Sequence, residues 1–155
     1  MWRQAITMWA AIVLGGSAGL ALAAAPADEN AFAQAVLAPD LAGGLCVHLG
    51  SGDGRLTAAL AADGRFLVHG LEPDAALAES AIRLLRSRGI YGQAWVERYA
   101  ENRLPYAENF VNLVVADDAA RINLPVKEIF RVLCPNGVVC LARVRPARDR
   151  STPTA

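Results

Sequence analysis

The sequence predicts an α/β protein of three layers, in which helices cover both faces of an open parallel sheet. Short apolar segments alternate regularly with amphipathic segments between residues 28 and 144, and strands joined by crossover helices have this pattern. The segment 111–116 is apolar on both faces, as expected for a central parallel strand. A glycine-rich turn joins the first of these strands directly to the helix that follows it.

The predicted elements follow one another without a boundary for a second domain. The strands cover residues 45–49, 66–71, 94–96, 111–116 and 138–144, and the helices cover 28–37, 55–62, 74–88 and 126–133. The helix over 74–88 has the clearest end signals, because Asp74 stands at its start and Gly89 follows its last turn. The polar segment 145–155 is predicted to be a disordered tail.

Residues 1–27 have the three-part pattern of a secretory signal. Arg3 supplies the positive charge, an uncharged apolar run follows, and two A-x-A sites precede residue 28. The run is also near the length of about 20 apolar residues that spans a bilayer. We therefore expect export to the periplasm or cell envelope. The alternative is an uncleaved anchor that contacts the membrane and leaves the domain in the cytoplasm.

Composition excludes several classes of protein. The chain has 155 residues, with 15 basic and 15 acidic side chains. No excess positive charge is available for nucleic acid, so no nucleic-acid partner is expected. The hydrophobic fraction of 54% excludes a mainly disordered chain. Cys46, Cys134 and Cys140 lack the spacing of metal ligands, so no metal site is predicted.

The glycine-rich turn is the main chemical signal. Gly50, Gly52 and Gly54 alternate with Ser51 and Asp53 immediately after the first strand. Glycine lets the backbone turn sharply and lets a ligand approach without Cβ contacts. Ligands in open α/β sheets bind at the carboxyl ends of the strands, where this turn lies. The alternative for the glycines alone is a tight turn with no ligand.

A carboxylate follows the second strand. Glu72 lies 18 residues after Gly54, and an acid at that place can accept hydrogen bonds from both hydroxyls of a ribose. A dinucleotide site is disfavoured, because the G-x-G-x-x-G spacing would need glycine where Arg55 stands. A nicotinamide-dependent enzyme is therefore the least favoured reading, and no G-K-[ST] follows to indicate a P-loop.

Four blocks in this order resemble class I S-adenosylmethionine-dependent methyltransferases. They are L-C-V-H-L-G-S-G-D-G at 45–54, V-H-G-L-E-P-D at 68–74, R-L-P-Y-A-E-N with N-L-V-V at 103–115, and E-I-F-R-V-L-C-P-N-G at 128–137. The resemblance covers roughly residues 44–144. It implies a Rossmann-like fold with S-adenosylmethionine as cosubstrate. An exported domain of this kind is also similar to the N-terminal part of bacterial proteins that continue into a quinoprotein-type β-propeller.

The resemblance also implies which residues do the work. The cofactor-binding residues would be His48, Gly50, Ser51, Gly52, Asp53, Gly54, Glu72, Pro73 and Glu101, with Glu72 on the ribose. Asp117 follows the fourth strand, on the side where the family places its acceptor, and is the candidate base. The alternative for Asp117 is a solvated acid at the start of a helix.

The chain departs from the family pattern at several points. His48 stands in place of an acid for the methionine amino group, Ala100 in place of an acid for the adenine amino group, and Asn112 in place of the acid that opens the fourth strand. The C-terminal antiparallel hairpin of the family is expected to be absent. The fifth strand would then lie at an exposed edge and need a covering partner.

Two functions follow from these observations. The first is methyl transfer from S-adenosylmethionine to an acceptor that the sequence does not identify, with the protein supplying mainly proximity and orientation. The second is a degenerate, non-catalytic module for binding or interaction in the cell envelope. The departures favour the second function, and so does the leader, because S-adenosylmethionine is made in the cytosol.

Overall fold

The computed structural model describes residues 9–14, 23–24, 29–37 and 41–144. In chain order the elements are β1 (Trp9–Leu14), β2 (Ala23–Ala24), α1 (Glu29–Val36), β3 (Gly44–Leu49), α2 (Arg55–Ala61), β4 (Phe66–Glu72), α3 (Ala75–Ser87), β5 (Ala94–Arg98), β6 (Val111–Ala116), a 3-10 turn (Ala119–Arg121), α4 (Val126–Val132) and β7 (Leu133–Val144). The predicted tail, 145–155, lies outside the described residues. None of the helices in the described ranges is long and apolar enough to cross a membrane.

All strands belong to one sheet in the order β2-β1-β7-β6-β3-β4-β5. Strands β3 to β7 are parallel to one another, which confirms the predicted five-stranded parallel sheet. The chain runs outward from β3 through β4 to β5 and then returns to β6 on the other side of β3. The reversal of strand order therefore lies between β3 and β6, and ligands of open α/β sheets bind at the carboxyl ends of such strands.

Strand β7 does not lie at the edge of the sheet. β1 pairs with it in antiparallel fashion from Trp9↔Val144 to Leu14↔Val139, and β2 pairs with β1. The expectation of an exposed β7 edge is wrong for the described residues, because β1 supplies the backbone partners that an edge strand lacks. The interpretation of 1–27 as a signal or anchor stays a prediction, and most of that segment lies outside the described residues.

Helices cover both faces of the parallel sheet, as predicted. On one face, residues of α1, α2 and α3 pack against β3, β4 and β5, with Phe32, Leu60 and Leu85 among the buried side chains. On the other face, α4 and the loop before β6 pack on the sheet through Ile129 and Leu104. The two apolar layers hold the strand ends in a fixed arrangement, and the turns that follow those ends form one surface.

Strand β7 begins earlier than the sequence predicts. Leu133 already pairs with Val111, and pairing resumes where Val138 faces Leu113. The four residues between Leu133 and Val138 bulge out of the ladder, and the predicted turn lies within them. Asn136 has a positive φ of 64° there, a conformation that asparagine tolerates better than most residues.

Candidate functional site

The glycine-rich turn between β3 and α2 lies at the carboxyl end of the sheet. The backbone N–H of Gly50 donates to the carbonyl of Leu71 at 2.8 Å, so the turn is tied to the neighbouring strand β4. Gly50, Gly52 and Gly54 all have positive φ, from 56° to 85°. Side chains are strained in this region, and glycine is needed at all three positions.

The three glycines nevertheless serve different purposes. A Cβ at Gly50 would meet nothing within 4 Å, and one at Gly52 would meet only the Nη1 atom of Arg121, at 3.9 Å. A Cβ at Gly54 would lie 2.7 Å from the Cβ of Ala81 in α3. Gly50 and Gly52 therefore keep a surface open, whereas Gly54 allows close packing of the turn against α3.

Glu72 is fully buried, with 0% of its surface exposed. Its Oε2 atom accepts the backbone N–H of Gly52 at 2.6 Å, and its Oε1 atom accepts that of Asp74 at 3.1 Å. Burial of a carboxylate is costly unless hydrogen bonds compensate, and these two bonds fix the side chain under the glycine-rich turn. The predicted ribose acid and the predicted turn are thus in direct contact.

A third donor reaches Glu72 from the loop after β6. The Nη2 atom of Arg121 lies 3.2 Å from Oε1 of Glu72 and forms a salt bridge with it. The arginine side chain is 41% exposed, so it covers the buried carboxylate from the solvent side.

A cavity of about 280 Å³ opens beside these residues, and we call it the strand-end cavity. Three of the predicted residues line it, namely Gly50, Pro73 and Glu101. The remaining lining residues come from the ends of β3 and β4 and from the loops after β5 and β6: Leu49, Leu71, Tyr99, Ala100, Arg121, Ile122, Asn123 and Leu124. Glu72 does not line the cavity, whereas Arg121, which contacts it, does.

His48 is buried in the sheet, with 1% of its surface exposed. Its Nδ1 atom lies 2.9 Å from the hydroxyl of Thr57, and its Nε2 atom lies 3.5 Å from Oδ1 of Asp117. A neutral imidazole that donates from Nε2 to the carboxylate needs Thr57 to donate its hydroxyl proton to Nδ1. His48, which stands where the resembled family has an acid, thus contacts Asp117, an acid that directly follows the neighbouring strand β6.

Asp117 stays ionised through this contact. Burial alone would raise the pKa of its carboxyl, but hydrogen bonds from the His48 side chain and from the backbone N–H groups of Asp117 and Asp118 outweigh burial and hold the pKa below its ordinary value. Asp117 is partly open, with its side chain 36% exposed. A partly exposed carboxylate at the carboxyl end of β6 can accept a proton or bind a cation.

Two predicted residues of the turn do not face the strand-end cavity. Asp53 is half-buried, accepts the backbone N–H of Arg55 at 3.2 Å and pairs with its guanidinium. Ser51 is buried against Gly70, where a Cβ would lie 2.8 Å from that of the serine. Within the described part of the chain, its hydroxyl has no hydrogen-bond partner.

Asn112 lies at the opposite end of the sheet from the cavity. Its Oδ1 atom accepts the backbone N–H of Leu45 at 2.9 Å, and its Nδ2 atom donates to the sulfur of Cys134 at 3.4 Å. This asparagine joins the starts of β3, β6 and β7. Its departure from the family acid therefore does not bear on the strand-end cavity.

Two polar residues of the site were missed from the sequence, Arg121 and Thr57. Arg121 could have been found, since every loop at the carboxyl end of a strand beside the reversal is a candidate. Thr57 carried no such signal, because it lies inside a short helix and only the structure shows that it faces His48. Within the described ranges, no group of three or more side chains is arranged as metal ligands.

Comparison with solved structures agrees with this architecture. A putative S-adenosyl-L-methionine-dependent methyltransferase from Methanococcus maripaludis superposes with a TM-score of 0.62 and 21% identity, over 69% of this chain and 51% of that one. The [4+2]-cyclase SpnF gives 0.63 and 22%, over 71% and 43%. Geranyl diphosphate C-methyltransferase from Streptomyces coelicolor A3(2), solved with Mg2+, geranyl diphosphate and S-adenosyl-L-homocysteine, gives 0.61 and 17%, over 72% and 43%. At these low identities, the structural matches show a shared fold and no more.

The chain spans about half the length of these solved structures. No curated protein matches it. The sequence profile of the methyltransferase domain family matches residues 47–141, from within β3 to within β7. This range is more than half of the chain and includes the glycine-rich turn, Glu72 and Asp117. The chain therefore belongs to the methyltransferase domain family.

Proposed function

We propose that this domain binds S-adenosylmethionine at the strand-end cavity and transfers its methyl group to an acceptor. The observation that carries the proposal is the buried Glu72, held by two backbone N–H groups directly beneath Gly52. A carboxylate so fixed can accept both hydroxyls of a ribose. A structural neighbour, the geranyl diphosphate C-methyltransferase, was solved with S-adenosyl-L-homocysteine, which supports the same class of ligand here.

The walls of the cavity suit the other end of a nucleoside. Tyr99, Ala100 and Glu101 follow β5 and line the cavity together with Leu124 from the loop after β6. Apolar side chains on both sides can enclose a planar base, and Glu101 can accept a hydrogen bond from an exocyclic amine. Glu101 thereby takes the place of the acid that the family carries one residue earlier, where this chain has Ala100.

The methionine end of the ligand is assigned to His48 and Asp117. The carboxylate of Asp117, which lies beside His48, can attract an ammonium group. Asp117, which directly follows β6, thus supplies the negative charge that the family has at the position of His48 in β3. This assignment rests on the contact of 3.5 Å between the two side chains.

When bound, S-adenosylmethionine supplies a methyl group on a positively charged sulfur. The chain contributes chiefly orientation, because Glu72 and the glycine-rich turn hold the nucleoside while the loop after β6 faces the acceptor. The acceptor atom forms its bond to the methyl carbon as the carbon–sulfur bond breaks and its electrons return to sulfur. Where the acceptor carries a proton, Asp117 is the group placed to take it.

A non-catalytic methyltransferase-like module remains the second candidate function. The salt bridge between Arg121 and Glu72 favours it, since the ribose acid is already occupied in this structure. Export through residues 1–27 would also favour it, by separating the domain from cytosolic S-adenosylmethionine. N-terminal sequencing of the secreted protein tests export. Continuation into a β-propeller is a separate proposal, which the length of the encoded protein tests.

Calorimetric titration with S-adenosylhomocysteine separates the two functions. We expect binding by the wild-type chain and at least about a 100-fold loss of affinity in Glu72→Gln, because each hydrogen bond from the ribose to a charged acceptor contributes about 1.5–3 kcal/mol. Glu79→Ala is the control, since Glu79 is 74% exposed on α3. Absence of binding would contradict methyl transfer, and equal binding by a folded Glu72→Gln would contradict the assignment of the ribose to Glu72.

A further inference from the structure

We propose that Arg121 is a gate residue of the strand-end cavity. Its guanidinium occupies the position on Glu72 that a ribose must take, so a ligand binds only after Arg121 has left. This inference rests on the proposed function, because it concerns how the same cavity admits its cosubstrate. It adds a residue that controls the affinity of the site without contributing to the reaction.

Glu72 has too few free acceptor positions to hold both Arg121 and a ribose. Each carboxylate oxygen offers about two lone-pair positions. Oε2 accepts the N–H of Gly52, which leaves one position open. Oε1 accepts both the N–H of Asp74 and the Nη2 atom of Arg121, at 3.1 and 3.2 Å. A diol that donates to both oxygens therefore lacks a position on Oε1 while Arg121 is bound.

Arg121 also covers the glycine-rich turn. Its Nη1 atom is 3.9 Å from the place that a Cβ on Gly52 would occupy, so the guanidinium lies against the open side of that residue. Gly52 is where a ligand can approach the backbone. One side chain thus covers both features that define the site, the glycine-rich turn and the acid.

Arg121 and Glu72 also differ in how far they are exposed to solvent. Arg121 is 41% exposed and lines the cavity, whereas Glu72 is 0% exposed and does not. The guanidinium can therefore move into water without unfolding the site. Glu72 keeps its two backbone hydrogen bonds when Arg121 leaves, so the open form retains the geometry that a ribose needs.

A pre-existing closed form lowers the apparent affinity by the fraction of molecules that are open. A charge-assisted hydrogen bond of ordinary strength favours the closed form by about tenfold. Removal of the guanidinium should therefore strengthen binding by about the same factor. A residue that contacts the ligand would have the opposite effect when truncated.

The experiment is calorimetric titration of the full chain with S-adenosylhomocysteine and with 5′-methylthioadenosine. Arg121→Ala should bind both about tenfold more tightly than the wild type, because both carry the ribose. Arg83→Ala is the matched control, since Arg83 is 70% exposed and pairs with a surface acid of its own helix. Its affinities should equal those of the wild type.

Ionic strength provides a second readout that does not depend on activity. Salt screens a partly exposed ion pair, so the wild type should bind the neutral 5′-methylthioadenosine more tightly as salt rises. Arg121→Ala, which lacks the pair, should show no such gain. A gain of equal size in both chains would mean that salt acts on the ligand rather than on Arg121.

The possible outcomes separate this inference from the proposed function. Weaker or unchanged binding by a folded Arg121→Ala overturns the gate, while binding by the wild type leaves the proposed function in place. If neither chain binds any adenosine-containing probe, the proposed function fails and the gate fails with it. Binding by Arg121→Ala alone supports both, with a closed form that dominates in the wild type.

Discussion

Two glutamate–arginine pairs in this domain have the same chemistry but lie in different surroundings. Glu128 and Arg131 lie three residues apart on α4 and contact each other through several atoms. Glu72 and Arg121 are 49 residues apart and share a single contact of 3.2 Å. The first pair belongs to a network that holds a loop, and the second covers a cavity. The two pairs differ at the arginine, because the Arg131 side chain also donates to two backbone carbonyls of that loop.

Glu128 and Arg131 are both committed to the loop before β6. Glu128 accepts the backbone N–H of Leu104 at 3.0 Å. Arg131 donates to the carbonyls of Leu104 and Tyr106, at 3.1 and 2.9 Å. The hydrogen bond from Arg131 holds the pKa of the Glu128 carboxyl below its ordinary value. The E-x-x-R part of the fourth block therefore fastens the third block to α4 and has no direct role at the cavity.

The largest expected effect follows from this difference. Arg131→Ala removes three sets of hydrogen bonds at once and leaves Glu128 without its cation, so the midpoint of thermal unfolding should fall by several degrees. Arg121→Ala removes one contact to a carboxylate that keeps two donors, and the midpoint should fall by a small fraction of that amount. Circular dichroism melts of both chains, with Arg83→Ala as control, measure the contrast. Equal falls would show that Arg121 is also a fastening residue.

The glycine-rich turn contains the same distinction within five residues. Gly54→Ala introduces a Cβ at 2.7 Å from Ala81 in addition to left-handed strain, which together cost about 2–5 kcal/mol. Gly52→Ala meets only Arg121, at 3.9 Å, and should cost about 1–2 kcal/mol from strain alone.

Denaturant unfolding measures the two costs, and titration with S-adenosylhomocysteine measures the binding. Gly52→Ala should lose affinity beyond what its stability explains, because the new methyl group points at the open side of the turn. Gly54→Ala should bind normally wherever it is folded. A larger stability loss in Gly52→Ala than in Gly54→Ala would contradict these separate roles.

The sequence predicts the parts of this site that depend on local pattern. The alternation of strands and helices, the turn at Gly50 and the acid at Glu72 can all be identified from spacing and residue type. The partner of Glu72 cannot be identified in this way, because Arg121 is brought to Glu72 by the path of the loop after β6. Its position is a product of tertiary packing.

The edge of the sheet was not predictable for a different reason. The segment 9–14 is apolar and uncharged, and such a run fits a signal sequence, a membrane anchor or a buried strand equally well. The structure pairs it with β7 over six residues. The sequence predicts that the fifth strand needs a partner, but no local pattern in 9–14 identifies this segment as that partner.

The smallest expected effect concerns the pair formed by His48 and Asp117, which is longer than either glutamate–arginine contact. Because His48 holds the pKa of the Asp117 carboxyl below its ordinary value despite burial, the ionised form stabilises the folded state. This contribution is complete above the unfolded-state pKa of about 3.9. It disappears as the pH falls through the lower folded-state pKa.

Asp117→Asn should therefore be less stable than the wild type at neutral pH, and the difference should shrink toward zero in strong acid. Urea unfolding of both chains at several pH values measures it. Asp53→Asn provides the matched control, because the Asp53 side chain is 47% exposed and pairs with the exposed Arg55, so its effect should be smaller at neutral pH. If the difference in free energy of unfolding between the wild type and Asp117→Asn instead grows as the pH falls, burial raises the pKa of Asp117 more than the contact with His48 lowers it. The carboxylate would then be a poor candidate for holding a cation at the carboxyl end of β6.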